Sequence, residues 1–585
     1  MARYALTIFL SAFLLFLVQP LIGKYILPWF GGAPAVWTTC MLFFQVLLLG
    51  GYAYAHWLAD RVAIRKQTTI HLALLALSLV FLPITPKEFL KPTGGGWPQL
   101  QILLLLLATI GAPYVMLSST GPLLQSWFSR THEGRSPYRL YSLSNLGSLL
   151  ALLSYPFLVE PNVRLRHQAV LWSVGFAVFA ALCGWCALRV RRKDGVIEDC
   201  GLQIADLGMT ADLQSAIRNP QSAIPPASLV QRPTFSAITL WLLLSLAGSV
   251  MLLATTNMIC QEIAVVPFLW ILPLALYLLS FIICFDSPRW YLRWLFLPLL
   301  TLAIAAWCLT IGHESLTRVV MWTGWFEHSP LPRLEEESRK FIEDYSIVVF
   351  GNSPLPWMRK NLGLSINRPT LWAQIGIYLA VLFACVMACH GELARSKPQP
   401  RYLTLYFLTV SIGGAAGGIF VALIAPYVFP WFWEYQLGLL ATGVAVLWSL
   451  IRDPRVPVGG DWRAVRWGLL GTACVLLAPL AGVFWLHVKQ HDRDAKYVNR
   501  NFYGVLRVDE EERDLGRIRV LTHGEINHGY QFLDPQMRRW PASYYARDTG
   551  ISIAARFHPR RLSTDPAQRS LRVGIVGLGA GCIAA

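Results

Sequence analysis

The sequence predicts a mostly α-helical, polytopic transmembrane bundle, followed by a small β-rich region and the first strand and glycine turn of a Rossmann-like α/β unit. Three observations lead there. Hydrophobic residues make up 55% of the 585 and charged residues only 14%, and the mean hydropathy is +0.47, outside the range of a soluble globular chain. Apolar runs of about 18 or more residues recur, the length an α-helix needs to cross a roughly 30 Å hydrocarbon core with its own backbone satisfied. From His487 onward the composition turns charged, with apolar positions alternating as in strands.

Thirteen spans are expected, near 4–22, 35–58, 67–84, 100–120, 138–159, 167–190, 235–258, 264–285, 291–311, 371–390, 402–424, 427–451 and 465–488. The first follows Arg3 in the manner of a leader, but no small-residue cleavage site follows it and a second span comes at once, so it reads as retained. Residues 1–190 form one transmembrane half, and 235–488 form a second with an extramembrane loop over 312–370. Between them, 191–234 reads as a polar, disordered linker in which Ser-Ala-Ile recurs around Arg218–Gln221. The segments Tyr141–Ser148 and Ser411–Gly418 carry small residues at spacings that let helices approach closely in lipid.

Two halves of about six spans around a central loop resemble the major facilitator superfamily. Asp60, Arg61, Arg65 and Lys66 match that superfamily's loop motif between spans two and three, while His56 and Ala63 stand where it has glycines. A weak repeat, Val115-Met116 to Gly121 against Val386-Met387 to Gly391, adds to the resemblance. Lys and Arg are several-fold more frequent in the short loops after even-numbered spans than in those after odd-numbered ones, which places the N-terminus in the cytoplasm and the protein in the cell (inner or plasma) membrane. An odd span count then puts the tail outside.

The net charge of +17 follows from those loops, and no basic face interleaved with aromatics points to nucleic acid. The eleven cysteines lie mostly in spans and form no disulfide framework. Cys183 and Cys186 have redox spacing, and Cys385, Cys389 and His390 lie close on one helix; both groups read as apolar helix positions, and no metal is expected. Gln19, Lys24, Gln45, Asn145, Glu160, Asn257 and Gln261 are polar residues within or at the ends of spans. Glu262, His390 and Glu392 are the candidates for an intramembrane polar site, because an ionisable group in a span is costly unless it faces a partner or cavity.

In the tail, Phe502–Val508 and Arg517–Thr522 read as strands joined by an acidic turn, Asp509 to Gly516, and a short helix is expected over Ile551–Phe557. Residues 489–569 thus form a soluble β-rich region. From 570 to 585 the run Val573-Gly574-Ile575-Val576 reads as a buried strand, and Gly577-Leu578-Gly579-Ala580-Gly581 as the turn that brings backbone amides to a nucleoside or anion. His523, Glu525 and His528 lack the spacing of a zinc helix and read as an exposed turn.

The order Arg500-Asn-Phe-Tyr-Gly-Val505, His523-Gly524, His528-Gly-Tyr-Gln531, Tyr544-Tyr545 and Gly577-x-Gly-x-Gly581 resembles the polyamine aminopropyltransferases, or spermidine synthases. It is most similar to their membrane-embedded branch, as are Val18–Lys24, Thr255–Asn257 with Cys260–Glu262, and Cys389–Leu393. The resemblance implies a spermidine-synthase-like region over 489–569 that leads into a Rossmann-like domain for decarboxylated S-adenosylmethionine. Gly577, Gly579, Gly581 and Gln531 would hold the cofactor, and His523, Tyr544 and Tyr545 would border the groove for a polyamine or other small cationic substrate. His523-Gly524 replaces an Asp-Gly pair of the soluble synthases, which bears on amine selectivity. The acidic ribose ligand and the catalytic aspartate are expected beyond residue 585, so this fragment is expected to be inactive and to bind no cofactor well.

Two alternatives stand beside an aminopropyltransferase in the lipid bilayer. One is a methyltransferase using S-adenosylmethionine, which the glycine turn does not distinguish. The other is a transporter of a cationic or amphipathic solute with a regulatory or vestigial tail.

Overall fold

The computed structural model describes residues 2–92, 96–131, 138–206, 233–262, 267–287, 289–310, 371–399, 402–452, parts of 480–488, and 495–565 except 514, 525, 541, 543–545 and 547. The chain is mostly helical. Twelve long helices come first: α1 (Ala2–Phe30), α2 (Pro34–Arg61), α3 (Ile64–Ser78), α4 (Pro98–Thr131), α5 (Tyr138–Ser154), α6 (Leu165–Asp206), α7 (Phe235–Glu262), α8 (Pro267–Asp286), α9 (Arg293–Thr310), α10 (Leu371–Arg395), α11 (Leu403–Ile419) and α12 (Glu434–Arg452). Ten of the described helices are long and apolar enough to cross a membrane. This is a multi-pass membrane protein.

Two expected spans are shorter than expected. The span over 67–84 is the 15-residue α3 plus one 3-10 turn, Leu79–Phe81, because its start is polar and Pro83 and Pro86 follow. The span over 291–311 is α9, whose apolar part is a shorter stretch, Arg293–Ala305. Most of 465–488 and the loop 312–370 lie outside the described residues. The linker reading of 191–234 is corrected at its start: α6 runs on to Asp206, since the charged residues after Val190 favour helix and no proline occurs before Pro220. The next helix, α7, begins at Phe235, and 207–232 are outside the described residues.

The helices pair largely within two segments, before and after residues 207–232. In the first, α1 lies on α5 and α2 on α4; in the second, α7 lies on α11 and α8 on α10. The halves meet where α2 rests on α11 and α5 on α8. Helix α5 continues through a π-helical turn, Tyr155–Val159, and α11 continues through the corresponding one, Phe420–Ile424. Pro156 is the second residue of the first turn and Pro426 lies two residues after the end of the second, and each removes a backbone donor.

Glycines make the tightest crossings. A Cβ on Gly147 of α5 would come within 2.9 Å of the Phe9 carbonyl of α1, and one on Gly417 of α11 within 2.9 Å of the Leu246 carbonyl of α7. The small-residue segments are packing surfaces first. Large side chains fill the rest: Trp172 of α6 is buried, and its Nε1 donates to the Leu14 carbonyl at 2.8 Å.

The tail forms a four-stranded antiparallel sheet in the order β1 (Ala495–Asn501), β2 (Gly504–Arg513), β3 (Gly516–His523), β4 (Ile526–Phe532). Two readings are corrected here. Phe502-Tyr503 is the two-residue turn between β1 and β2, with Asn501 opposite Gly504, so it is not strand. The acidic run from Asp509 to Arg513 is strand and not turn, paired with Gly516–Val520. Cross-strand cations allow this: Arg519 lies opposite Glu510, and Arg519, Arg517 and Lys496 approach the Glu510 carboxylate at 2.7, 2.9 and 3.7 Å. Beyond the sheet, α13 (Gly550–Arg556) overlaps the expected helix, shifted by one residue, and is followed by the single turn α14 (Pro559–Leu562).

The sheet docks on one end of the bundle. Arg500 of β1 donates to both carboxylate oxygens of Glu434, at 2.7 and 2.9 Å, and to the Trp431 carbonyl at 2.7 Å. Phe502 packs into a core cluster shared by helices before and after the 207–232 segment, and Val505 into a second cluster built mainly of α7 to α12. Asn501, Phe502 and Gly504 line a small crevice with Pro34, Asn257 and Gln261. These contacts lie at the start of α2, the end of α7 and the start of α12. Because α1 begins at the opposite end of the bundle, the sheet and the N-terminus occupy opposite faces.

Candidate functional site

Two places in the molecule gather side chains with chemistry to offer. The first is the docked sheet. His523 ends β3, and its ring occupies the space that a Cβ at Gly504 would need. Gly504 has φ +143°, a conformation that suits glycine, so the turn after Phe502-Tyr503 and the His523 ring depend on the same residue. The His523 ring lies 5.9 Å from that of His528, at 28°. Gly524, with φ +60°, lets the turn press on α7: a Cβ there would come within 2.8 Å of the Gln261 carbonyl. His523-Gly524 is therefore also a docking corner.

Gln531 lies on β4 directly opposite Arg519, on the charged face, and its Nε2 donates to the Arg538 carbonyl at 3.3 Å. Its place in the register is four residues from His523, about 13 Å along a strand, so the two do not share one contact point. The other face of the sheet is its small core, Ile518, Val520 and Phe532 with Ala542. Tyr544, Tyr545, Gly577, Gly579 and Gly581 lie outside the described residues. Glu262 ends α7, and its side chain also lies outside them.

The second place is inside the bundle. A cavity of about 190 Å³ lies among α1, α2, α4, α5, α7, α8 and α11, where the halves meet. Its walls combine ring faces, among them Phe44, Tyr52, Tyr114 and Phe407, with uncharged polar side chains, among them Gln19, Gln45 and Asn145. None of the described lining residues is Asp, Glu, Lys, Arg or His. Gln19 Nε2 reaches the Tyr114 hydroxyl at 3.4 Å, and Gln45 Nε2 donates to Ser249 Oγ at 3.0 Å.

The expected intramembrane site is not one site. His390 and Glu392 stand two positions apart on α10, roughly 200° around the helix, and face different neighbours. The buried His390 ring stacks on Phe281 with centroids 3.6 Å apart, and its Nδ1 lies 2.7 Å from Ser280 Oγ. Phe281 and Tyr277, which His390 also meets edge-on, are part of the cavity wall; His390 backs that wall.

Glu392 is buried and fully engaged. It accepts from Arg293 Nε at 2.8 Å and Nη2 at 2.6 Å, from the Tyr291 hydroxyl at 3.0 Å and from Ser449 Oγ at 2.6 Å. It clamps the start of α9 and the end of α12 to α10, a structural task for a buried carboxylate.

Of the other intramembrane polar residues, Lys24 and Glu160 pair with each other at 2.6 Å, and Asn257 Oδ1 accepts from Thr38 Oγ1 at 3.1 Å. The cavity serines, including Ser11, Ser118, Ser148 and Ser411, are not evident from sequence, because a serine in a span equally bonds its own helix; Ser148 does so, donating to the Ser144 carbonyl at 3.0 Å. Among the described residues no group of three or more His, Cys, Asp or Glu is placed to hold a metal. No protein-family model matches this chain, and no curated protein matches it.

Proposed function

We propose that the chain belongs to a membrane-embedded aminopropyltransferase-like protein, in which a two-half helical bundle carries a sheet that leads into an adenosyl-binding domain. One observation carries the reading: the first motifs in the order fall on a single antiparallel sheet and its turns. Phe502-Tyr503 forms the β1–β2 turn with Gly504 opening β2, His523-Gly524 stands at the β3–β4 turn, and Gln531 lies on the last strand, with the Val573–Gly581 strand-and-turn signature later in the sequence. The proposed substrate is a polyamine or other small amine, and the cofactor decarboxylated S-adenosylmethionine; with S-adenosylmethionine the same site would transfer methyl. In the transfer the amine nitrogen forms a bond to the carbon beside the sulfonium, the carbon–sulfur bond breaks to release a thioether, and the amine loses a proton to an acidic group.

Aminopropyl transfer from labelled decarboxylated S-adenosylmethionine to putrescine, in membranes of cells expressing the full reading frame, tests this. Label in the polyamine, lost in Gly579→Val, supports the reading. No transfer to any amine overturns it.

A second reading, a solute carrier with a regulatory tail, is favoured by two observations. The first is the cavity between the halves together with their parallel packing, α1 on α5 and α7 on α11, which supports an arrangement of two alike halves around a central site. The second is sidedness. The sheet lies on the face opposite the N-terminus, and the Lys and Arg bias of the short loops places the N-terminus in the cytoplasm; the tail would then lie away from the cytosol, where adenosyl cofactors are scarce. Flux of labelled polyamine across the bilayer without cofactor supports the carrier and sinks the transferase.

A further inference from the structure

The bundle cavity has no assigned ligand, and its chemistry is narrow. We infer that it binds a small, uncharged, planar molecule bearing an amide-type group, and that it disfavours the cationic amines expected at the tail. The inference stands apart from the transferase reading, since it concerns what the helical core holds; under the carrier reading it makes the cavity a site for an uncharged solute and not for a polyamine.

Its first support is charge. The walls come from both halves, yet no described lining residue is ionisable at neutral pH apart from tyrosine hydroxyls. An ammonium moved there leaves water with no carboxylate to meet it, a large cost in a protein interior. Ring faces return only a small part of that cost through cation–π contact.

The second support is hydrogen bonding. Four polar atoms of the lining side chains are buried behind the cavity surface without a partner, Gln19 Oε1, Gln45 Oε1, Asn145 Nδ2 and Ser411 Oγ, the Gln45 oxygen lying against Gly418. They come from α1, α2, α5 and α11, so both halves contribute. Buried polar atoms are nearly always paired, and an amide's terminal torsion is soft enough to turn into the cavity. Two acceptors, one donor and one hydroxyl match a primary carboxamide, which offers two donors and one acceptor; the assignment of O and N within each side-chain amide follows the hydrogen-bond pattern.

The third support is shape. About 190 Å³ is many times the roughly 10–15 Å³ that one water needs on this measure, which admits a ring with a substituent. Phe44, Tyr52, Tyr114 and Phe407 supply faces for that ring. His390 behind Phe281 brings no counter-charge that could reverse the preference, because it is buried and is not part of the lining.

Benzamide and benzamidinium are nearly the same size and differ in charge. Equilibrium binding of each, tritium-labelled, is measured on the purified full chain in nanodiscs at pH 7. Saturable benzamide binding is expected, with benzamidinium at least about tenfold weaker, and Gln45→Leu and Gln19→Leu each weakening benzamide about five- to tenfold, the loss of one hydrogen bond. Asn145→Asp, which adds the missing carboxylate, is expected to reverse the order of the two probes.

Equal or tighter binding of benzamidinium to the unaltered chain overturns the inference. So does absence of benzamide binding, or unchanged binding in glutamine variants that keep their helical circular dichroism. Where those variants lose helix, Ser411→Ala decides: weaker benzamide binding with helix retained supports the site, and unchanged binding overturns it.

Discussion

Replacing Glu434 by glutamine is expected to release the edge strand β1 from the bundle, so that β1 opens, while leaving the bundle itself folded. Glu434 and Arg500 are 0% and 4% exposed and meet at 2.7 Å, so neither charge has water to fall back on. Arg500 would keep its bond to the Trp431 carbonyl at 2.7 Å and its place 4.2 Å over the Phe432 ring, but would lose its counter-charge. Breaking one partner of a buried pair costs about 3–5 kcal/mol. The glutamine oxygen still accepts one bond, so about 3 kcal/mol is the appropriate figure, a factor of roughly 100–200 in the docked-to-undocked ratio.

Hydrogen exchange of the β1 amides, Ala495–Asn501, in nanodiscs reads that ratio directly. The expected result is β1 exchange faster by about two powers of ten, with the α7 and α11 amides unchanged. The reversed pair, Arg500→Glu with Glu434→Arg, should recover part of the loss. A change below about threefold in Glu434→Gln would refute the reasoning and leave Phe502 and Val505 as the whole of the anchor.

Three further outcomes are expected. Glu392→Leu removes the buried carboxylate that Arg293 bonds at 2.6 Å and should lower the stability of the bundle by about 3–5 kcal/mol, read as earlier thermal loss of helix; an unchanged melting curve would show that the clamp carries no stability. Gly147→Val forces a side chain against the Phe9 carbonyl, 2.9 Å from the first added carbon, and should cost about 1–3 kcal/mol by overpacking, whereas an equally stable variant would mean that α1 and α5 separate freely. For the sheet, the Arg519 hydrogen bond, with Lys496 and Arg517 nearby, holds the Glu510 carboxyl below its ordinary value of 4.5. Its contribution is complete above about pH 4.5 and is lost as pH falls through the lower folded value, so acid should destabilise the native sheet more than that of Glu510→Gln; identical acid profiles for the two would contradict it.

The bundle was legible wherever composition and length alone decide the structure. A stretch such as α1 or α7 can satisfy its backbone in lipid only as a helix, and nothing in the tertiary structure overrides that. The end of α6 was not legible, because polar composition argues against burial and was read as an argument against helix, two properties that separate once a helix leaves the membrane. The acidic strand was missed for a similar reason: Glu510, Glu511 and Glu512 repel one another in sequence, and only the pairing with β3 brings Arg517 and Arg519 alongside.

In the candidate sites, sequence singles out individual polar residues without their grouping. Gln19, Gln45 and Asn145 stood out as polar residues in spans, and their convergence depends on α2 meeting α11 and α5 meeting α8, contacts that no local pattern encodes. His390 and Glu392 looked like one site because they are neighbours in sequence, although helical geometry already turns them apart. The sidedness of the tail rested on a span count; the contacts of Arg500, Phe502 and Gly524 settle its relation to the N-terminus without any count.

That relation is tested by protease protection of two epitopes, one at Ala2 and one at the β2–β3 turn beside the exposed Leu515, in sealed membrane vesicles of a single orientation. One epitope digested and the other protected is the expected result, and the side on which the turn is cut selects between the transferase and the carrier. Both digested, or both protected, would place the sheet on the same face as the N-terminus and contradict the docking of the sheet on the far end of the bundle.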